Sequence, residues 1–238
     1  MKIIAGLLVA AFAAAAGSAI AGDAGSVTNL SGTLSVRKAD GSIRILSQKS
    51  EIQSGDTLNT QRDSYAQIKF GDGAQITLKP NTTVKIDNFN FSQSEPQQDS
   101  FFFNMVKGGL RVVTGLVGKR GNVDAYKMET ATATIGIRGT TYGVDDCTGS
   151  AAGQGACEKI EPAVYVSVTD GEIVASNAGG TASYRAGQFG MIENRDRAPR
   201  FLSTDPGLQF TPPASFIQSI VGGSAVNTGK ALECVVRR

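Results

Sequence analysis

The sequence predicts an all-β fold of short strands and hairpins, and three observations predict it. Apolar and polar residues alternate over short runs: Ala66, Ile68 and Phe70 alternate with polar neighbours, and so do Ala131, Ala133, Ile135 and Ile137. Successive side chains of an extended strand point to opposite faces, so each run describes a strand with one apolar face. Turn signals such as Asp40-Gly41, Asp72-Gly73, Asp170-Gly171 and Gly179-Gly180 punctuate these runs. Finally, no long stretch carries a period of 3.6, while Gly, Thr, Val, Ile and Ser are abundant.

The N-terminus reads as a targeting segment. Lys2 supplies a positive charge, Ile3 to Ala16 is continuously apolar or small, and Ala19-Ile20-Ala21 is a small-x-small cleavage site. This pattern predicts a signal peptide over residues 1–21, cleaved after Ala21, and hence a periplasmic or secreted protein. The apolar run falls short of the roughly 20 residues of a membrane span, so no retained span is expected. Cleavage leaves 217 of 238 residues. These divide into a β domain over 22–193, with a core at 30–145 and an extension at 160–193. A tail over 194–238, part disordered or packed on the domain, contains four prolines up to Pro213 and a short helical stretch near Phe216.

Along the chain, residues 23–31 read as a lead-in. Gly32 to Arg37 forms the first strand, and Ala39-Asp40-Gly41-Ser42 turns into a strand holding Ile43 and Ile45. Ser47 to Gly55 reads as a polar connection with Ile52 packed inward, and Leu58 and Thr60 start the next strand. A hairpin follows: Ala66, Ile68 and Phe70 run in, Gly71-Asp72-Gly73 turns, and Ala74, Ile76 and Leu78 run back. Val84 and Ile86 make another strand, and residues 90–100 form an exposed loop. Phe101-Phe102-Phe103 is expected in a strand covered on both faces, because three consecutive rings cannot share one side. Gly108 to Val113 is a further strand, and Thr114 to Asn122 is a tight Gly-rich turn. This turn lacks the Gly-Lys-Ser/Thr ending of a phosphate-binding loop. After the strand at Thr130 to Val144, alternation resumes at Ala163 to Thr169. Asp170-Gly171 is expected to turn the chain back through Glu172 to Ser176, and Phe189, Met191 and Ile192 end the β region.

The composition weighs against catalysis. The chain has no histidine, which removes the commonest general base and metal ligand. No serine sits in Gly-x-Ser-x-Gly. Asp145 and Asp146 are neighbours on a strand and point apart, a poor arrangement for acid–base work or for calcium. No cofactor and no metal are expected. Formal charge is +2, with basic residues scattered, so nucleic acid is not an expected partner. Cys147 and Cys157 bracket a loop of small residues and are expected to staple it. Cys234 is then odd, either free, paired between molecules or displacing one of the other two. Arg138, beside Gly139, has two readings: an anion contact, or a fork binding backbone carbonyls or Asp145 to hold a bend. Thr130, Thr132 and Thr134 share a face as a short ladder, too short to define a binding surface.

The run Ile137-Arg138-Gly139-Thr140-Thr141-Tyr142-Gly143-Val144 resembles the signature of the FecR domain family. Other pieces agree in order: Gly55-Asp56-Thr57-Leu58-Asn59-Thr60, Ser64 through Asp72-Gly73, Gly108-Gly109-Leu110-Arg111-Val112, and Val168 through Gly187-Gln188. The resemblance implies a compact, solenoid-like β domain; the residues themselves support all-β and leave a sandwich open. It assigns Gly55, Asp56, Asp72, Gly73, Arg138, Gly139 and Thr140 to the signature, in structural roles. Family members of the iron-citrate type carry a cytoplasmic sigma-regulating segment, a membrane helix and this domain in the periplasm, where it receives a signal from an outer-membrane receptor. The sequence shows neither the segment nor a retained span. The resemblance therefore implies a non-catalytic periplasmic or envelope module that binds or signals, with another envelope protein as partner. The alternative is a structural protein associated with cell-wall polysaccharide or peptidoglycan.

Overall fold

A computed structural model describes residues 23–149 and 157–208, together with Pro213 and Phe216. Fifteen strands follow one another. They are β1 (Asp23–Ser31), β2 (Leu34–Arg37), β3 (Ile43–Leu46), β4 (Glu51–Gln53), β5 (Thr57–Thr60), β6 (Tyr65–Phe70), β7 (Gln75–Leu78) and β8 (Thr83–Asn90). Then come β9 (Ser100–Val113), β10 (Tyr126–Glu129), β11 (Thr134–Asp146), β12 (Val164–Asn177), β13 (Gly180–Arg185), β14 (Phe189–Ile192) and β15 (Arg200–Leu202). All belong to one mixed sheet that does not close. Among the described residues no helix is long and apolar enough to cross a membrane.

The sheet is organised on β9. Along one edge, β9 pairs with β8 over its first half and with β7 over its second. Each of these strands leads an arm: β8–β5–β2–β3 on one side and β7–β6–β1–β4 on the other. The arms fold over a shared core, where Phe70 of β6 lies 5.5 Å from Phe89 of β8 and 4.6 Å from Phe101 of β9, ring centre to ring centre. Of the two architectures left open, the sandwich-like one fits this layering. On its other edge β9 pairs with β10, parallel, and with β11, antiparallel. β11 continues the sheet to β12, which carries β13 and β14 side by side.

Three long strands, β9, β11 and β12, each contain one irregularity that reverses which face the side chains take. On β9, Phe101, Phe103 and Met105 point inward, and beyond Gly108 it is Leu110 and Val112 that do. On β11 the inward set changes from Ile135 and Ile137 to Thr140, Tyr142 and Val144; on β12 it changes from Val164, Val166 and Val168 to Ile173 and Ala175. Gly108, Gly139 and Gly171 sit at these points with φ of 91°, 60° and 77°. An inserted residue at positive φ is what lets a strand bulge and continue, and glycine adopts it without a Cβ clash. Gly139 and Gly171 face one another, so a Cβ on Gly171 would meet the Gly139 carbonyl oxygen at 2.1 Å.

The structure departs from the sequence expectations in six places, two of which are strand β4 within the stretch read as a polar connection and strand β15 beyond Ile192, where the β region was expected to end. Residues 23–31 are a paired strand rather than a lead-in, with Ala24 and Val27 buried. Phe101 to Val113 is one strand, because β7 and β8 line up along it end to end. Asp170-Gly171 is a bulge inside β12, not a hairpin turn, because β11 runs beside both halves and holds the chain straight. Thr130 and Thr132 are buried in the turn before β11, so they form no ladder with Thr134. The Thr130 hydroxyl instead accepts from the Ala133 amide. Other expectations agree: the β6–β7 hairpin forms, Ile52 is fully buried, and Phe101 and Phe103 point inward while Phe102 faces the other way.

Candidate functional site

The signature residues lie at three turns or bulges. Gly55 and Asp56 occupy the turn between β4 and β5. The Asp56 carboxylate, 1% exposed, accepts from the Gln53 amide and pairs with Lys38 Nζ, each at 2.9 Å. The Asp56 carbonyl and Gly55 amide exchange hydrogen bonds with Ile86 of β8. Asp72 and Gly73 form the β6–β7 turn. There the Asp72 carboxylate accepts from the Ala74 amide at 2.9 Å and the Val117 amide at 3.1 Å, tying the Gly-rich turn after β9 to the hairpin. Gly139 and Thr140 make the β11 bulge, where the Thr140 hydroxyl donates to the Glu172 carbonyl at 2.6 Å and its amide donates to Thr114 Oγ1 at 2.8 Å.

Arg138 is exposed, and among the described residues its side chain makes no hydrogen bond or ion pair. Asp145, one of its expected partners, is instead held by Lys79, whose Nζ lies 2.7 and 2.9 Å from the two carboxylate oxygens and also donates to the Leu208 carbonyl. Burial pushes the Asp145 carboxyl above its ordinary value, and the Lys79 charge opposes that shift. Cys147 and Cys157 are joined in a disulfide with Cα atoms 5.4 Å apart. Cys234, like residues 1–21, lies outside the described residues.

The disulfide belongs to a second apolar cluster on the outward face of β11, β12 and β14, where Cys147, Ala163, Tyr165, Met191 and Leu208 are buried together. Beside this cluster lies a cleft of about 290 Å³, whose charged lining residues are Lys79, Arg111 and Asp145. The strand register explains its shape. Thr77, Arg111, Gly143 and Ser167 stand opposite one another across β7, β9, β11 and β12. Gly143 leaves the floor open between Arg111 and Ser167; a Cβ there would meet Ser167 Oγ at 2.8 Å. The bulge at Gly108 sets Arg111 on this face: in the register of Phe101, Phe103 and Met105, position 111 would point into the core.

Arg111 is half-buried, and its side chain makes no hydrogen bond or ion pair among the described residues. Burial alone draws its guanidinium below the ordinary value. Sequence reasoning passed over it. The residue follows Gly108-Gly109 in an otherwise apolar run, and a charge there signals an outward position only once the bulge is known. Lys79 and Ser167 carried no motif either. Among the described residues no cluster of three or more acidic, cysteine or histidine side chains could hold a metal ion.

Fold and site together define an all-β domain with a polar, net-cationic cleft on the outer face of its central sheet. A profile of the family described as FecR protein matches residues 56–174, half of the chain, and the chain belongs to that family. Two crystal structures of a Parabacteroides distasonis protein assigned as an anti-sigma factor are similar to it at 11% and 12% identity, each with a TM-score of 0.45. Each alignment covers 63% of this chain and 60% of the other. A cell surface anchoring domain is 26% identical with a TM-score of 0.26, over 27% of this chain and 84% of its own. This chain thus spans 60% of the length of the Parabacteroides protein. No curated protein matches the chain.

Proposed function

We propose that this chain is a non-catalytic binding or signalling module of the bacterial periplasm or envelope, with another envelope protein as its partner. The observation that carries the reading is family membership over β5 to the middle of β12, the part of the chain that builds the central sheet. The family resemblance brings with it a domain that receives a signal by contact with another protein. The sequence supports the same reading: no histidine is present to activate a nucleophile, and the N-terminus has the pattern of a cleaved export signal.

The test combines location and partner. Fractionation should place the protein in the periplasm or the medium, and N-terminal sequencing should start at Gly22. Cross-linking in cells, followed by mass spectrometry, should recover a receptor or a regulator joined to the domain. Retention on purified peptidoglycan with no protein cross-link would favour the structural alternative. A hydrolase activity abolished by changing a single Asp or Glu would overturn the non-catalytic reading.

A further inference from the structure

We propose that the cleft at Arg111 is a carboxylate-binding site, filled by an acidic side chain of a protein partner or by a free organic acid. The inference rests on reading the chain as a binding module and names the chemistry that module recognises. A guanidinium presents five N–H donors in a planar fork, and a carboxylate is the acceptor that satisfies two of them at once. Keeping such a group half-buried without an acceptor is unfavourable, and a bound carboxylate relieves that cost. Elsewhere in the molecule part-buried arginines are satisfied from within: Arg120 donates to Asp99, to the Ser92 carbonyl and to the Gln93 carbonyl. Arg111 has no such neighbour among the described residues.

The surroundings narrow the ligand. Lys79 and Asp145 neutralise each other at 2.7 Å, so the lining has one net positive charge, matched to a single carboxylate better than to a doubly charged phosphate. The volume, about 290 Å³, sits at the lower end of small-molecule sites and suits a group the size of one side chain. The glycine floor at Gly143 lets the ligand approach the sheet backbone, with the hydroxyls of Ser167 and Thr169 alongside and Phe189 and Leu208 packing its apolar part.

The test is a titration of the isotope-labelled processed chain, following backbone amide resonances. Three probes serve: an end-blocked Gly-Gly-Glu-Gly-Gly peptide, the same peptide with Gln for Glu, and butyrate. The Glu peptide should move the amides of Gly143, Asp145 and Ser167, and the Gln peptide should bind at least about ten-fold more weakly. Arg111→Gln should abolish that discrimination, and Arg111→Lys should keep part of it, each with the resonance dispersion of the folded protein. Butyrate matching or exceeding the Glu peptide assigns the site to free acids, whereas a stronger response to the Glu peptide assigns it to a protein side chain. Equal binding of the Glu and Gln peptides, silence of the cleft amides towards every carboxylate, or discrimination surviving in Arg111→Gln would each overturn the proposal. If the partner is still cross-linked by Arg111→Gln while the titration fails, the binding-module reading stands and the carboxylate site falls.

Discussion

Asp72 and Arg111 are both charged residues set into the same sheet, and their surroundings differ in one respect. The Asp72 carboxylate is buried at a turn and both its oxygens accept backbone amides, so nothing is left for a ligand. Arg111 lines an open cleft, and its side chain bonds to no described residue. Asp56 and Thr140 resemble Asp72 in this way: their polar atoms are spent on the Gln53 amide, Lys38, Thr114 and the Glu172 carbonyl. The contrast teaches that Asp56, Asp72 and Thr140 of the recognisable pattern hold the fold, while the side chains of Arg138 within that pattern and of Arg111 in a matching segment are left without a partner among the described residues.

The sharpest way to break the comparison is Asp72→Ala. It strands two amides in a buried turn and should cost about 2–4 kcal/mol in urea unfolding, at about 1–3 kcal/mol for each unmade bond with some relaxation. A loss under about 1 kcal/mol would mean that the carboxylate is not what joins the hairpin to the turn after β9. Reducing the Cys147–Cys157 bond should remove about 2–3 kcal/mol by loop entropy, seen as a lower unfolding midpoint with reductant that Cys147→Ala/Cys157→Ala reproduces without it. Asp145 tests the cleft through pH. Because burial raises its folded pKa above the ordinary 3.8, its protonated form is favoured by folding. That contribution is complete below the ordinary value and is lost as pH rises through the folded pKa. The unfolding midpoint of the native protein should therefore fall relative to Asp145→Asn as pH is raised from about 4 towards neutrality; parallel curves would show that the Lys79 pairing cancels burial, and a relative rise that it outweighs burial. The smallest effect belongs to Arg111→Gln, which removes a charge that no described residue uses. Its stability should stay within about 0.5 kcal/mol of the native protein, so any loss of ligand binding is read directly.

How much of this was legible follows the same division. The β6–β7 hairpin was readable because Ala66, Ile68, Phe70, Ala74, Ile76 and Leu78 alternate around a turn dipeptide, all local signals. The same dipeptide at Asp170-Gly171 misled, since its outcome depends on β11, a partner more than 20 residues away in sequence. The start of β1 was hidden for a related reason: Ala24 and Val27 break a strict alternation where the pairing with β4 and β6 shifts register. At the site, Asp56, Asp72 and Thr140 were found through their motifs. Arg111 escaped because a bulge moves every later residue of β9 to the other face, and that shift appears only when β7, β8 and β9 are laid side by side.

The central position of β9 has a consequence for how the chain comes into being. Both arms are built from residues before position 91, yet each is anchored only when β7 and β8 find β9, whose last residue is Val113. A chain synthesised from its N-terminus therefore carries two unzipped sets of strands until that segment emerges. Its edge strand β3 already shows Ile43 and Ile45 to water in the finished protein. Long-range pairing of this kind folds slowly and leaves strand edges open to other chains in the meantime. The interval between the appearance of Asn90 and that of Val113 is thus when this protein is most exposed to aggregation and to proteases.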